Sequence, residues 1–228
     1  MLARVEKEPP KGWGLRVSDI LGDVRFALDH IAYQLAIANT GEDPPPDVKD
    51  IQFPVLKNPA RWAEKDGHGK FARGSGLNAT AHMSNKAQTF IESIQPYHAP
   101  NYEMDWLWML NELCNVNKHR FIQATPAALT STSVELGGTP GGLVEFEGLR
   151  VDRLVDGAVV AHFRPRHEAI EAEVDVKAAL HAQIAFEPGP PAYSVHLLNT
   201  LLAFEAMARW VHDQLRGEVE SPGRHDVP

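Results

Sequence analysis

One cysteine, Cys114, stands in 228 residues. An internal disulfide, a thiolate zinc site and an iron-sulfur cluster each need more than one thiolate, so none can be built within a single copy. Long hydrophobic runs are missing too: nowhere do about 18 uncharged apolar residues follow one another, as a membrane span requires. Residues 1–14 lack the apolar stretch of a secretory signal. The expectation is a cytoplasmic protein with no membrane partner. Positive charge is in deficit. With 22 Lys and Arg against 30 Asp and Glu, the net charge of -8 repels polyphosphate at long range and excludes a broad nonspecific nucleic-acid surface. A small, locally basic pocket stays open. The P-loop, the dinucleotide glycine fingerprint and the G-x-S-x-G elbow are all absent, which leaves nucleotide hydrolysis, hydride transfer and α/β-hydrolase chemistry without support. No H-E-x-x-H string occurs, and no metal or other cofactor is expected. His30, Glu112, His119 and Glu205 would meet only through tertiary folding.

What is present reads as an ordinary globular composition, 43% hydrophobic and 23% charged, with no interdomain linker, so residues 1–228 are expected to form one domain. Val17, Leu21, Val24, Leu28, Ile31 and Leu35 step by three and four, which predicts a helix over 15–38. Helices are also predicted over 79–94, ended by Gln95-Pro96-Tyr97, over 102–117, with Trp106, Leu107, Leu110, Leu113 and Cys114 inward, and over 193–216, where Leu197, Leu198, Leu201, Phe204, Ala208, Val211 and Leu215 form a stripe. Residues 65–76, rich in glycine and lysine, read as a mobile surface loop, and 217–228 as a flexible tail. Over 130–187 the period changes to two, as in Val144-Glu145-Phe146-Glu147, with turn signals at Gly137-Gly138, Gly141-Gly142 and Asp156-Gly157. The predicted fold is α+β: a helical bundle with long first and last helices, and an antiparallel β-meander inserted before the last helix.

Arg25 and His30 lie in the first predicted helix as R-x4-H. This spacing is similar to the signature of the HEPN ribonuclease superfamily, although Phe26 follows the arginine where a polar residue is common there. The resemblance implies a homodimer in which such helices join into one metal-independent RNA-cleaving or RNA-binding site. Arg25 would then hold phosphate, and His30 would move the proton between a ribose hydroxyl and the leaving group. The chemistry suits the residue types, since imidazole titrates near neutrality and a guanidinium grips phosphoryl oxygens bidentately. The other reading is structural: Arg25 pairs with Asp29 at i,i+4, and His30 is a partly buried histidine tying the bundle. A second R-x4-6-H match, Arg61 to His68, falls in the expected loop.

Lys118-His119-Arg120 closes the third predicted helix, where cations complement the helix dipole. As a functional group the triplet would form an anion site with Arg25 and His30, taking RNA or a small anionic ligand, with His119 and Arg120 as auxiliary donors. The run Arg25 to Tyr33, Ile51-Gln52-Phe53-Pro54, Gln95-Pro96-Tyr97, and Leu110-Asn111-Glu112-Leu113 leading into Lys118-His119-Arg120 resemble, in this order, a family of uncharacterised bacterial proteins. That resemblance implies that the four segments converge in space, with Asp29 and Tyr97 among the binding residues. Asn117 stands where the family usually has Asp. Cys114, on the apolar side of its helix, reads as inert core. Glu205, on the apolar side of the last helix, is expected to pair with a cation such as Arg25. The competing class to a ribonuclease is a noncatalytic ligand- or partner-binding module in which the same cluster is structural.

Overall fold

The computed structural model describes residues 10, 12–117, 124–137, 144–149, 161–165, 175–186 and 196–220; side-chain surroundings are described for 10, 12–116, 186 and 196–220. Five α-helices occur among them: α1 (Trp13–Thr40), α2 (Gly76–Ala79), α3 (Asn85–Ser93), α4 (Trp106–Asn117) and α5 (Leu197–Glu220). The chain divides into two compact units, Met1–Leu15 with Ile122–Thr200, and Arg16–Phe121 with Leu201–Pro228. No helix among the described residues is long and apolar enough to cross a membrane.

The α+β fold with an inserted meander is not what forms. Among the residues whose side chains are described, Phe186 apart, the structure is helix, turn and loop, without a sheet. In the first unit the backbone makes β1 (Ala124–Gly137), β2 (Val144–Leu149), β3 (Ala161–Pro165) and β4 (Asp175–Phe186). These join as two separate antiparallel ribbons, β1 with β4 and β2 with β3. A meander needs every strand bonded to its chain neighbour, and β1 instead pairs with β4 from Ala124 opposite Phe186 to Gly137 opposite Asp175. Alternation in sequence marks extended backbone; it does not encode which strand lies beside which.

The second unit is helical, and its core follows from the stripes. Val17, Leu21, Leu28, Ala32, Leu35 and Ala36 of α1 are buried, as are Ala87 and Ile91 of α3. Leu107, Leu110 and Leu113 of α4 and Phe204, Val211 and Leu215 of α5 complete the apolar interior. Capping fixes where the shorter helices start. Of the 79–94 prediction only Asn85–Ser93 is α3, while α2 ends at Ala79; Ser75 and Ser84 each accept an amide from the first turn that follows, that of Asn78 and of Ala87. Asp105 starts α4 in the same way, accepting from the amides of Leu107 at 3.0 Å and Trp108 at 3.1 Å. Helix α5 runs to Glu220, four residues beyond the predicted end, supported by Arg216 donating to Glu220 at 2.6 Å. Residues 221–228 of the predicted tail lie outside the described residues.

Residues 65–76 are organised instead of open. Lys65 bridges Phe71, and Asp66 accepts from the amides of His68 at 2.8 Å and Lys70 at 3.0 Å. Gly76 follows where the Trp62 ring presses on the backbone; a Cβ there would lie 2.1 Å from the ring.

Between α1 and α3 the segment 51–56 is extended but has no partner strand among the described residues, so its buried backbone groups need side-chain partners. Gln95, 2% exposed, supplies several: its Oε1 accepts from Leu56 N at 2.9 Å, and its Nε2 donates to Pro54 O and Ile91 O, both at 3.0 Å. Replacing Gln95 with Ala strands the Leu56 amide and the Pro54 carbonyl. At about 1–3 kcal/mol for each stranded group, urea unfolding should show a loss of about 3 kcal/mol; a loss under about 1 kcal/mol would contradict this account.

Helices α3 and α5 are tied by Glu218, which accepts from Ser84 Oγ at 2.6 Å and Lys86 Nζ at 2.7 Å. The Lys86 bond, then the Ser84 bond, holds the Glu218 carboxyl below its ordinary 4.5. A carboxylate depressed on folding stabilises fully above its unfolded value and loses that contribution as pH falls through the folded one. Glu218→Gln should therefore flatten the acid limb of a stability profile below pH 4.5. An acid limb identical to that of the unmodified chain would count against the tie.

Candidate functional site

Helix α1 presents Arg25 and Asp29 one turn apart, and both reach the same residue of the extended segment. The Phe53 carbonyl accepts from Arg25 Nη2 at 2.8 Å, and the Phe53 amide donates to Asp29 Oδ1 at 2.9 Å. Arg25 Nη1 is buried 3.1 Å from Asp29 Oδ1, an ion-pair contact without the alignment of a directed hydrogen bond. The pair thus grips both polar groups of one peptide residue, whose ring is fully buried. Of the four segments expected to converge, those around Arg25, Phe53 and Gln95 do meet, through residues 53–56.

The remaining sequence-predicted residues fall elsewhere. Tyr97 is half-buried, its hydroxyl donating to Glu92 Oε1 at 2.8 Å and its ring against His98. Burial, then the bond to Glu92, pushes the Tyr97 hydroxyl well above the ordinary tyrosine value. Lys118, His119 and Arg120 lie outside the described residues. Glu205 does not reach Arg25. It is exposed and takes Arg209 of its own helix, the i,i+4 spacing placing the two side chains side by side. Arg61 is likewise paired with Glu64. Cys114 is half-buried, with Sγ 3.5 Å from the Leu21 carbonyl. Trp106 is partly exposed and edge-on to Phe204, whereas Trp108 is more covered, with Tyr102 at its edge and Lys57 Nζ 5.3 Å from its ring centre.

His30 is exposed and turns away from this clamp. It borders a hollow of about 300 Å³ between α1 and α5, with Gln34 on its own helix and His212, Arg216 and Glu220 on the other. Ile31, Leu215 and Val219 give the hollow an apolar lining. His212 Nδ1 faces Asp213 Oδ1 at 3.1 Å, and Arg216 Nε donates to Glu220. The α5 contributors had a signal in the sequence: His212, Arg216 and Glu220 recur every four residues, the spacing that brings side chains onto one helix face, and His30 and Gln34 do the same on α1. No group of three or more His, Cys, Asp or Glu among the described residues is disposed to hold a metal ion. Chemically, the hollow offers imidazole and guanidinium donors, one amide and one carboxylate over an apolar base.

Comparison with protein-family models, curated proteins and solved structures found no match.

Neighbouring positions of α1 should respond differently to truncation. Asp29→Ala strands the Phe53 amide and leaves the Arg25 guanidinium without its counter-charge, a loss of about 2–3 kcal/mol. His30→Ala, at an exposed position, should stay within about 0.5 kcal/mol. Chemical denaturation of both variants checks this, and equal losses would refute the division of labour.

Proposed function

We propose that the chain is a noncatalytic ligand- or partner-binding module, in which Arg25 and Asp29 tie the fold together and the hollow around His30 is the recognition site. One observation carries this reading: the Arg25 guanidinium is already engaged by Asp29 at 3.1 Å and by the Phe53 carbonyl at 2.8 Å. An arginine that steadies a transferring phosphoryl group needs its planar fork free for two oxygens. Freeing it here would strand a buried peptide carbonyl, which is costly. The single cysteine supports the cytoplasm as its compartment.

A HEPN-like homodimer that cleaves or binds RNA is the second reading. What favours it is the exposure of His30 and the presence of His212 in the same hollow, since two imidazoles can serve as general base and general acid. Under that reading His119, Lys118 and Arg120 would add phosphate contacts.

Incubation of the purified chain with single-stranded RNA and a chelator separates the two. The binding-module reading expects intact RNA over hours. Metal-independent cutting that disappears in His30→Ala, at an unchanged melting temperature, would replace it with the nuclease.

A further inference from the structure

The hollow between α1 and α5 has a composition that selects among ligands. Its volume of about 300 Å³ is at the small end for ligand pockets. At a water's share of about 30 Å³ it holds on the order of ten non-hydrogen atoms. Ile31, Leu215 and Val219 would cover an apolar body of that size, and the polar groups come from both helices, His30 and Gln34 from α1 and His212, Arg216 and Glu220 from α5.

Donors outnumber acceptors there. Gln34 supplies an amide N–H, the His30 imidazole carries at least one N–H in any protonation state, and Arg216 is always charged. His212 Nδ1 lies 3.1 Å from Asp213 Oδ1, so in the neutral ring its N–H is spent on that carboxylate and Nε2 is left as an acceptor. Glu220 is the lining carboxylate, and it is bound to Arg216 at 2.6 Å. Side chains of this pair are 61% and 58% exposed, so the pair is solvent-screened and contributes little to folding. A ligand carboxylate can take the place of Glu220 on the guanidinium while its apolar part displaces water from the lining. Arginine and carboxylate match in geometry, two parallel N–H groups to two oxygens.

We propose that the hollow binds a small monocarboxylate with an apolar body, Arg216 holding the carboxylate, His30 and Gln34 donating beside it, and His212 lining the wall. The proposal rests on the hollow being the recognition site of a binding module, and it adds the chemical class of the ligand.

Benzoate and its uncharged counterpart benzyl alcohol make the test, titrated into the full chain while the ring resonances of His30 and His212 are followed by NMR. Benzoate should move both resonances saturably, and benzyl alcohol should bind at least about tenfold more weakly. Arg216→Gln, at an exposed position outside the core, should lower benzoate affinity by about tenfold without changing the melting temperature. Equal binding of the two compounds, or undiminished benzoate binding by Arg216→Gln, would overturn the carboxylate assignment while leaving a binding hollow in place. Silence of both histidines towards both compounds overturns the assignment as well. Cleavage of RNA by the same preparation is a separate outcome and bears on the underlying reading alone.

Discussion

A stretch of extended backbone that joins no sheet among the described residues is the constraint around which the second unit is organised. Residues 53–56 are largely buried, and their peptide groups must be satisfied by something other than a neighbouring strand. Arg25 and Asp29 from α1 take both groups of Phe53, and Gln95 from the end of α3 takes Pro54 and Leu56. Three side chains therefore do for this segment what a β-ladder does elsewhere. Because they arrive from different elements, they also fix α1 and the end of α3 against the same strip of chain. The fully buried ring of Phe53 then fills the core beneath them.

That arrangement decides which polar residues of α1 remain for recognition. Arg25 and Asp29 are engaged in the clamp, whereas His30, one position further, falls on another side of the helix and is left to solvent. Gln34 continues the His30 face, and α5 brings His212, Arg216 and Glu220 to it. Helix α5 is itself pinned near that end by Glu218 on Ser84 and Lys86. The tie that stabilises the bundle thus lies two residues from Arg216, on the helix that forms one wall of the hollow.

Much of the helical part was legible in residue spacing. The first and last helices and the third were located by their apolar stripes, since burial of a continuous face is a strong constraint on sequence. The Arg25–Asp29 pair was also readable, as an i,i+4 spacing, but its grip on Phe53 was not, because a side chain bonded to distant backbone leaves no periodic trace. The same holds for Gln95, which read as the end of a helix and turned out to be a buried hydrogen-bonding hub. Glu205 misled for the opposite reason: its apolar neighbours suggested burial, yet Arg209 offered a partner one turn away. The β-rich stretch misled because period-two patterning specifies extended chain and says nothing of pairing order. The site around His30 was half visible. Its four-residue steps are plain on each helix, but only the packing of α1 beside α5 makes them one hollow.

Amide hydrogen exchange at Phe53 reports on the clamp most directly. Bonded to the Asp29 carboxylate at 2.9 Å and seated above its own buried ring, this amide should exchange with the slow core of the bundle. Exchange as fast as that of an unstructured peptide would contradict the claim that Arg25 and Asp29 serve the fold.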